Sequence, residues 1–395
     1  MNAQAAALGR AMSVLPPGYQ HLLDRAVDVL GGDQRVEAMW VHGSVARGDA
    51  DALSDLDIIV AVADDDLTSF GDEWRARLDA ITPTVMARRF PGPGGSLLSI
   101  TPECLRMDMW IEGAAEVPTS VVRDRRVVFD RADLDGRVPP PLPPADPSDA
   151  KFASLREWDA ACRAVAQIAD PLLAIEVVHT LRWILYEAYV ETNRPLPTSG
   201  VKQWSAKLTP AQHATLATLP TGGRPEAVMA ALDDVLGAPA GPLPEPDLSR
   251  VIVPPEGVIR ALVLLNEPAT DRARHLAEEF FALHLYLTVV VHRDDWLLGI
   301  EGISILRKLL YELDLEENGR RPATSPADWS GRLTAAQRDE LLALPTGAAT
   351  RDAVVDGHRA VRAAFIARGR RVLADSWPQS LEAAVVTHVD ASLSE

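Results

Sequence analysis

Residues Gly43–Val60 read GSVARGDADALSDLDIIV. The stretch follows one apolar run, Val36–Val41, and opens another, Leu56–Val62, rich in Ile and Val as in a buried strand. Asp55 and Asp57 are two apart on the predicted strand, so both carboxylates point to one face. Two like charges so placed repel unless a cation sits between them. Mg²⁺ suits such a pair, because it takes one or two carboxylates and completes its shell with water and phosphates. Gly43-Ser44 falls in the turn just before. Glycine lets the backbone approach a phosphate, and the serine hydroxyl and amides can donate to its oxygens. Arg47 is near enough in sequence to add a guanidinium.

An Asp-X-Asp pair alone, or a Gly-Ser alone, reads as a solvated strand end or a plain turn. In this order and spacing they resemble the signature Gly-Ser…Gly…Ser-Asp-hydrophobic-Asp of the polymerase-beta nucleotidyltransferase superfamily. That resemblance implies a third carboxylate on a neighbouring strand. Leu105–Glu112 reads LRMDMWIE, and Asp108 interrupts an otherwise apolar run. A carboxylate there is costly unless paired or metal-bound. Asp108, Trp110 and Glu112 share one face by alternation. Asp108 matches the family position, with Glu112, a rim residue beside Gly113, as the second choice.

Outward from the motif, the first 138 residues read as mixed α/β. Tyr19–Leu30 has helical apolar spacing and is stopped by Gly31-Gly32. Leu67–Ile81 predicts a helix. Thr84–Phe90, Leu97–Ile100, Leu105–Ile111 and Arg126–Phe129 predict strands. Two proline-rich stretches, Pro139–Pro147 and Gly237–Pro255, favour extended connections. The expected organisation is an α+β nucleotidyltransferase domain with a mixed sheet over 1–138, then two tandem all-α domains over 148–240 and 257–395.

The helical part repeats. Asp170–Gly222 aligns without gaps on Asp295–Gly347, 125 positions later, and 24 of the 53 positions are identical. Chance from average composition gives roughly one in fifteen. The matches include Leu181-Arg182 with Leu306-Arg307, Tyr186-Glu187 with Tyr311-Glu312, and Trp204-Ser205 with Trp329-Ser330. Two copies predict a tandem duplication rather than a solenoid. Residues kept in both copies read as structural. Glu176 and Glu301 sit near a predicted helix start, where acids stabilise the dipole, and Glu176 is a candidate for an acceptor amine.

The first copy resembles the C-terminal domain of antibiotic nucleotidyltransferases of the streptomycin/spectinomycin type, and more distantly the lincosamide ones. The residues that carry this are Leu181-Arg182, Tyr186, Asn193, Lys202, Trp204 and Leu208. In those enzymes a basic residue near this place reaches the nucleotide phosphates, a role carried here to Lys202. Its counterpart in copy two is Ala327. An exposed loop lysine is the alternative. The duplicated second copy departs from the pattern of those enzymes.

Composition bounds the partners. Thirty-nine basic against 56 acidic residues give a net charge of −17 over 395 residues. Nucleic-acid binding wants basic surface, so no nucleic-acid partner is expected. The most apolar run, Phe280–Val291, is too short for a bilayer span, which takes about 20 residues, and no membrane partner is expected. It reads as a buried helix. Two cysteines, Cys104 and Cys162, make no disulfide framework, and Met1–Leu15 has no signal-peptide pattern, so a cytoplasmic location is expected. No H-E-X-X-H or similar cluster supports zinc.

The resemblance implies a Mg²⁺-dependent enzyme. It would transfer AMP from ATP to a hydroxyl of a small, cationic, antibiotic-like acceptor such as an aminoglycoside, releasing pyrophosphate. Asp55, Asp57 and Asp108 would hold metal, Asp108 or an acid nearby would take the acceptor's proton, and Gly43, Ser44, Arg47 and Lys202 would hold the nucleotide. Nucleotidylation of a protein partner, and a non-catalytic nucleotide-binding regulator, are the alternatives.

Overall fold

A computed structural model describes residues 3–92, 94–140, 170–193, 203–221, 227, 230–231, 233–234, 269–319 and 329–394. Lys202, the Gly237–Pro255 stretch and all but the first two residues of Pro139–Pro147 lie outside them. The described residues group into two units. One holds residues 3–140 and 380–394, the other residues 170–379.

In the first unit, α1 (Ala3–Met12) precedes α2 (Pro17–Gly32). Proline stands in the first turn of α2, where no N–H is needed, and Tyr19, Leu22, Leu23, Ala26 and Leu30 are buried at helical spacing. Strand β1 (Val36–His42) runs into a one-turn helix, α3 (Gly43–Arg47). Gly48 ends it in the left-handed region, with φ 82 and its N–H on the Ser44 carbonyl. Strand β2 (Leu56–Val62) follows. The single helix expected over Leu67–Ile81 is two, α4 (Leu67–Asp72) and α5 (Trp74–Ile81). Gly71 weakens the helix there, and the intervening Glu73 is drawn to Arg35 at 2.6 Å. Then come β3 (Met86–Phe90), β4 (Ser96–Ile100), β5 (Arg106–Gly113) and β6 (Arg125–Asp130).

The six strands form one mixed sheet in the order β3-β4-β5-β2-β1-β6. β2 and β5 are parallel and every other pair is antiparallel. Alternation sends Met39, Val41, Ile58, Val60, Met107, Met109 and Ile111 into a core shared with Leu22, Leu23, Phe70 and Leu78. The other face carries a smaller cluster, in which Trp40, Ile59 and Ala61 meet Val117 and Leu134. Trp40 is fully buried, and its indole N–H donates to the Asp135 carboxylate at 2.8 Å.

The second unit is helical: α6 (Pro171–Thr192), α7 (Pro210–Thr218), α8 (Ala269–His284), α9 (Tyr286–His292), α10 (Trp296–Glu317), α11 (Ala335–Ala343) and α12 (Arg351–Leu373). A last helix, α13 (Gln379–Ser392), groups with the first unit but for its first residue. The apolar Phe280–Val291 run is buried for the most part, but Leu285 breaks it between α8 and α9.

Residues 125 apart make the same bonds. The Tyr186 and Trp204 rings stack at 3.8 Å, and those of Tyr311 and Trp329 at 4.3 Å. Asn193 donates to the Gln212 side chain at 2.8 Å and Asn318 to that of Gln337 at 2.9 Å. Thr209 and Thr334 close capping boxes at the starts of α7 and α11. The Arg182 guanidinium reaches the Leu216 and Leu219 carbonyls, and that of Arg307 the Leu341 and Leu344 carbonyls. Each arginine thus satisfies the carbonyls left over at the end of a short helix.

Candidate functional site

The site stands at one end of the sheet. Register pairs Asp57 on β2 with Asp108 on β5, side by side on neighbouring parallel strands. Asp55 lies just before β2, led in by a turn in which Asp51 accepts from the Ser54 hydroxyl at 2.9 Å and the Leu53 amide at 3.1 Å. One carboxylate oxygen from each of Asp55, Asp57 and Asp108 lies within 4.8 Å of the others, and the three can hold a metal ion. All three are half-buried. Hard oxygen donors at this spacing suit Mg²⁺ or a similar divalent ion. The three carboxylates named from the sequence are therefore brought together.

Gly43 makes this closeness possible. Its φ is +65, and a β-carbon there would strike the Asp57 carboxylate oxygen. Glycine at this position lets the turn after β1 lie directly against the acidic pair. Ser44 follows on α3, half-buried. The Arg47 guanidinium lies 3.3 Å from Asp49, an internal partner for the residue expected to hold phosphate. Arg126, on β6, donates to the Ala46 carbonyl at 2.6 Å and so ties α3 to the sheet.

Sequence reasoning missed Arg106. Its Nη2 donates to Asp108 at 2.8 Å and its Nε lies 3.6 Å from Asp55, so a guanidinium is drawn in among the carboxylates. The three acids attract positive charge, and Arg106 is held protonated by Asp108 and Asp55 despite its burial. The alternation that puts Asp108, Trp110 and Glu112 on one face also puts Arg106 there, two residues before Asp108, and is the signal that would have found it. The Arg106 amide donates to the Tyr19 hydroxyl at 3.1 Å, and burial raises the Tyr19 pKa far above its ordinary value. His42, the last residue of β1, is also close. Burial pushes it down to about 4, against the opposite pull of Asp108, so it is neutral at neutral pH.

Glu112, the second choice for the third carboxylate, is not part of the group. Its carboxylate is buried and takes both Arg125 nitrogens, Nη1 at 2.5 Å and Nη2 at 3.1 Å. That guanidinium also lies 5.0 Å over the Trp40 ring. In the second unit, Glu176 pairs with Lys308 at 3.6 Å, and Glu301 is fully buried against Arg182 and His179. Among the described residues no helix is long and apolar enough to cross a membrane.

No curated protein matches the chain. Residues 23–84, from α2 to just before β3 and with Gly43, Ser44, Asp55 and Asp57 among them, match the family model described as a nucleotidyltransferase domain. Motif and carboxylate geometry thus coincide at this end of the sheet.

Proposed function

We propose that the protein is an adenylyltransferase that moves AMP from Mg·ATP to a hydroxyl of a small, cationic, antibiotic-like acceptor, releasing pyrophosphate. The observation that carries the reading is the convergence of Asp55, Asp57 and Asp108 against Gly43. A bound Mg²⁺ would supply charge neutralisation and Lewis acidity at the phosphates. Asp55, Asp57 and Asp108 hold it. Gly43, Ser44 and Arg47 hold the β,γ-phosphates, Arg47 turning from Asp49 to do so. The acceptor oxygen forms a bond to the α-phosphorus, the bond to the β-phosphate oxygen breaks, and pyrophosphate leaves. The acceptor's proton passes to Asp108.

The helical region, read as a tandem duplication of one antibiotic-nucleotidyltransferase-like domain, supplies the resemblance on which the acceptor class rests. Lys202, aligned with Ala327 of the second copy, is the residue to which the resemblance gives a phosphate-binding role, and it lies outside the described residues. With Glu176 occupied by Lys308, the acceptor's amines fall to other acids.

The test is mass spectrometry of an aminoglycoside and lincosamide panel incubated with protein, Mg²⁺ and each nucleoside triphosphate. A gain of one adenylyl group on a panel member, only with ATP, is the expected result. Transfer from another nucleotide would overturn the donor. Absence of transfer to any member would overturn the acceptor class.

A further inference from the structure

Strand β5 alternates strictly. Met107, Met109 and Ile111 enter the helix-covered core, while Arg106, Asp108 and Trp110 lie on the opposite face. Trp110 is 45% exposed, whereas Trp40, Trp204, Trp329 and Trp377 are all buried. Among the described residues, the other large apolar side chains at least this exposed are Val14 and Val121, neither of them aromatic. Leaving an indole in water forgoes about 25 cal/mol for each Å² of apolar surface not buried. It does so here two residues from Asp108, about 7 Å along the strand.

The sheet order gives this position a direction. β1, which delivers Gly43 and Ser44, lies on one side of β2, and β5 lies on the other. With the β,γ-phosphates at Gly43 and Ser44, pyrophosphate leaves toward β1. In an in-line displacement the attacking oxygen comes from the opposite side of the phosphorus. That side is over β5 and β4. Across β4, Ser96 pairs with Trp110 and offers a half-buried hydroxyl beside it. On the inner side Trp110 pairs with Ile59, which is fully buried and closes the floor.

We propose that Trp110 is the platform for the acceptor: its exposed indole face stacks on a saturated, amine-bearing ring, a saccharide or aminocyclitol, and selects for it. The electron-rich face of tryptophan attracts ammonium groups and polarised C–H bonds. A ring laid on it presents a hydroxyl toward Asp108. The assignment rests on the adenylyl-transfer reading for its direction, and its test separates the two.

The full-length protein is compared with Trp110→Ala and Trp110→Phe. A non-hydrolysable Mg·ATP analogue is titrated by calorimetry. Streptomycin, spectinomycin, kanamycin and lincomycin serve as acceptor probes, in direct binding and in transfer kinetics. Trp110→Ala is expected to raise the Kd and KM of the probe that binds at least tenfold. The kcat should change less than threefold, with the melting temperature and analogue affinity unchanged. Trp110→Phe should recover most of the loss. A fall in analogue affinity would mean that Trp110 stacks the donor's base, and would overturn the proposal. Unchanged acceptor parameters, or no probe bound by the wild-type protein, would overturn it too. If a probe binds in a Trp110-dependent way but receives no adenylyl group, the adenylyl-transfer reading fails and the Trp110 site stands.

Discussion

Asp170 accepts hydrogen bonds from both the amide and the hydroxyl of Ser330, at 3.0 and 2.7 Å, across 160 residues of sequence. The same carboxylate caps α6 by accepting from the Leu172 amide at 2.9 Å. The repeat returns the arrangement: Asp295 caps α10 and accepts from the Ser205 amide and hydroxyl at 3.1 and 2.7 Å. Each capping carboxylate therefore serves its own helix and the other copy. Arg182 reaches across in the same way, to Glu301 at 3.2 Å.

Asp295→Ala should destabilise the second unit by about 2–4 kcal/mol, the sum of a lost cap and lost charge-assisted hydrogen bonds. Asp170→Ala should cost less, because Asp295 is the more buried of the two. Chemical denaturation followed by circular dichroism measures both. Equal stability in Asp295→Ala and wild type would show that the exchange contributes nothing.

A chain ending near Pro254 should fail to fold its first repeat. It leaves Arg182 buried without Glu301, a loss of about 3–5 kcal/mol for a broken buried pair. It also leaves the Trp204 and Ser205 amides without Asp295. Retention of helical circular dichroism in proportion to its length would refute this.

Asp57→Asn should abolish Mn²⁺ binding, read by electron paramagnetic resonance, and lower turnover at least about 100-fold. The melting temperature without metal should hold or rise, because one of three mutually repelling carboxylates is neutralised. Normal Mn²⁺ affinity in this variant would remove Asp57 from the ligand set.

Gly43→Ala should weaken Mn²⁺ binding at least tenfold. The left-handed φ of +65 adds about 1–2 kcal/mol of strain, and the new methyl meets the Asp57 carboxylate. Gly32→Ala is the control, since a β-carbon there meets nothing within 4 Å. Equal metal affinity in both variants would contradict the close approach.

Acid should weaken the second unit through His358. Burial holds it at about 4 in the folded state, below its ordinary 6.5. Between these values the unfolded chain binds the proton and the folded chain does not. Its contribution is complete above pH 6.5 and is lost as pH falls toward 4, by about 3 kcal/mol in all. His284, whose ring centroid lies 5.8 Å away, is lowered for the same reason, while Arg362 faces both. His358→Gln should flatten the fall in melting temperature between pH 7 and 5. An unchanged slope would assign the acid sensitivity elsewhere.

Much of the site was legible in the sequence. The order Gly43, Ser44, Asp55, Asp57 needs only a turn and a strand, and local rules suffice for both. The family resemblance and the break in an apolar run pointed to Asp108, which alternation placed on one face with Trp110 and Glu112, and the six strands fell close to where their apolar runs stood. The 125-residue offset gave 24 identities over 53 positions, because identity is a property of the sequence itself. Partner choice was not legible. Only the folded chain draws Arg106 among the carboxylates, seals Glu112 under Arg125, and breaks the expected helix at Glu73 toward Arg35. Only there do Asp170 and Asp295 meet serines of the opposite copy. Alternation and capping are set within a few residues along the chain. Which charge meets which depends on packing between segments tens to hundreds of residues apart, and no short-range pattern encodes it.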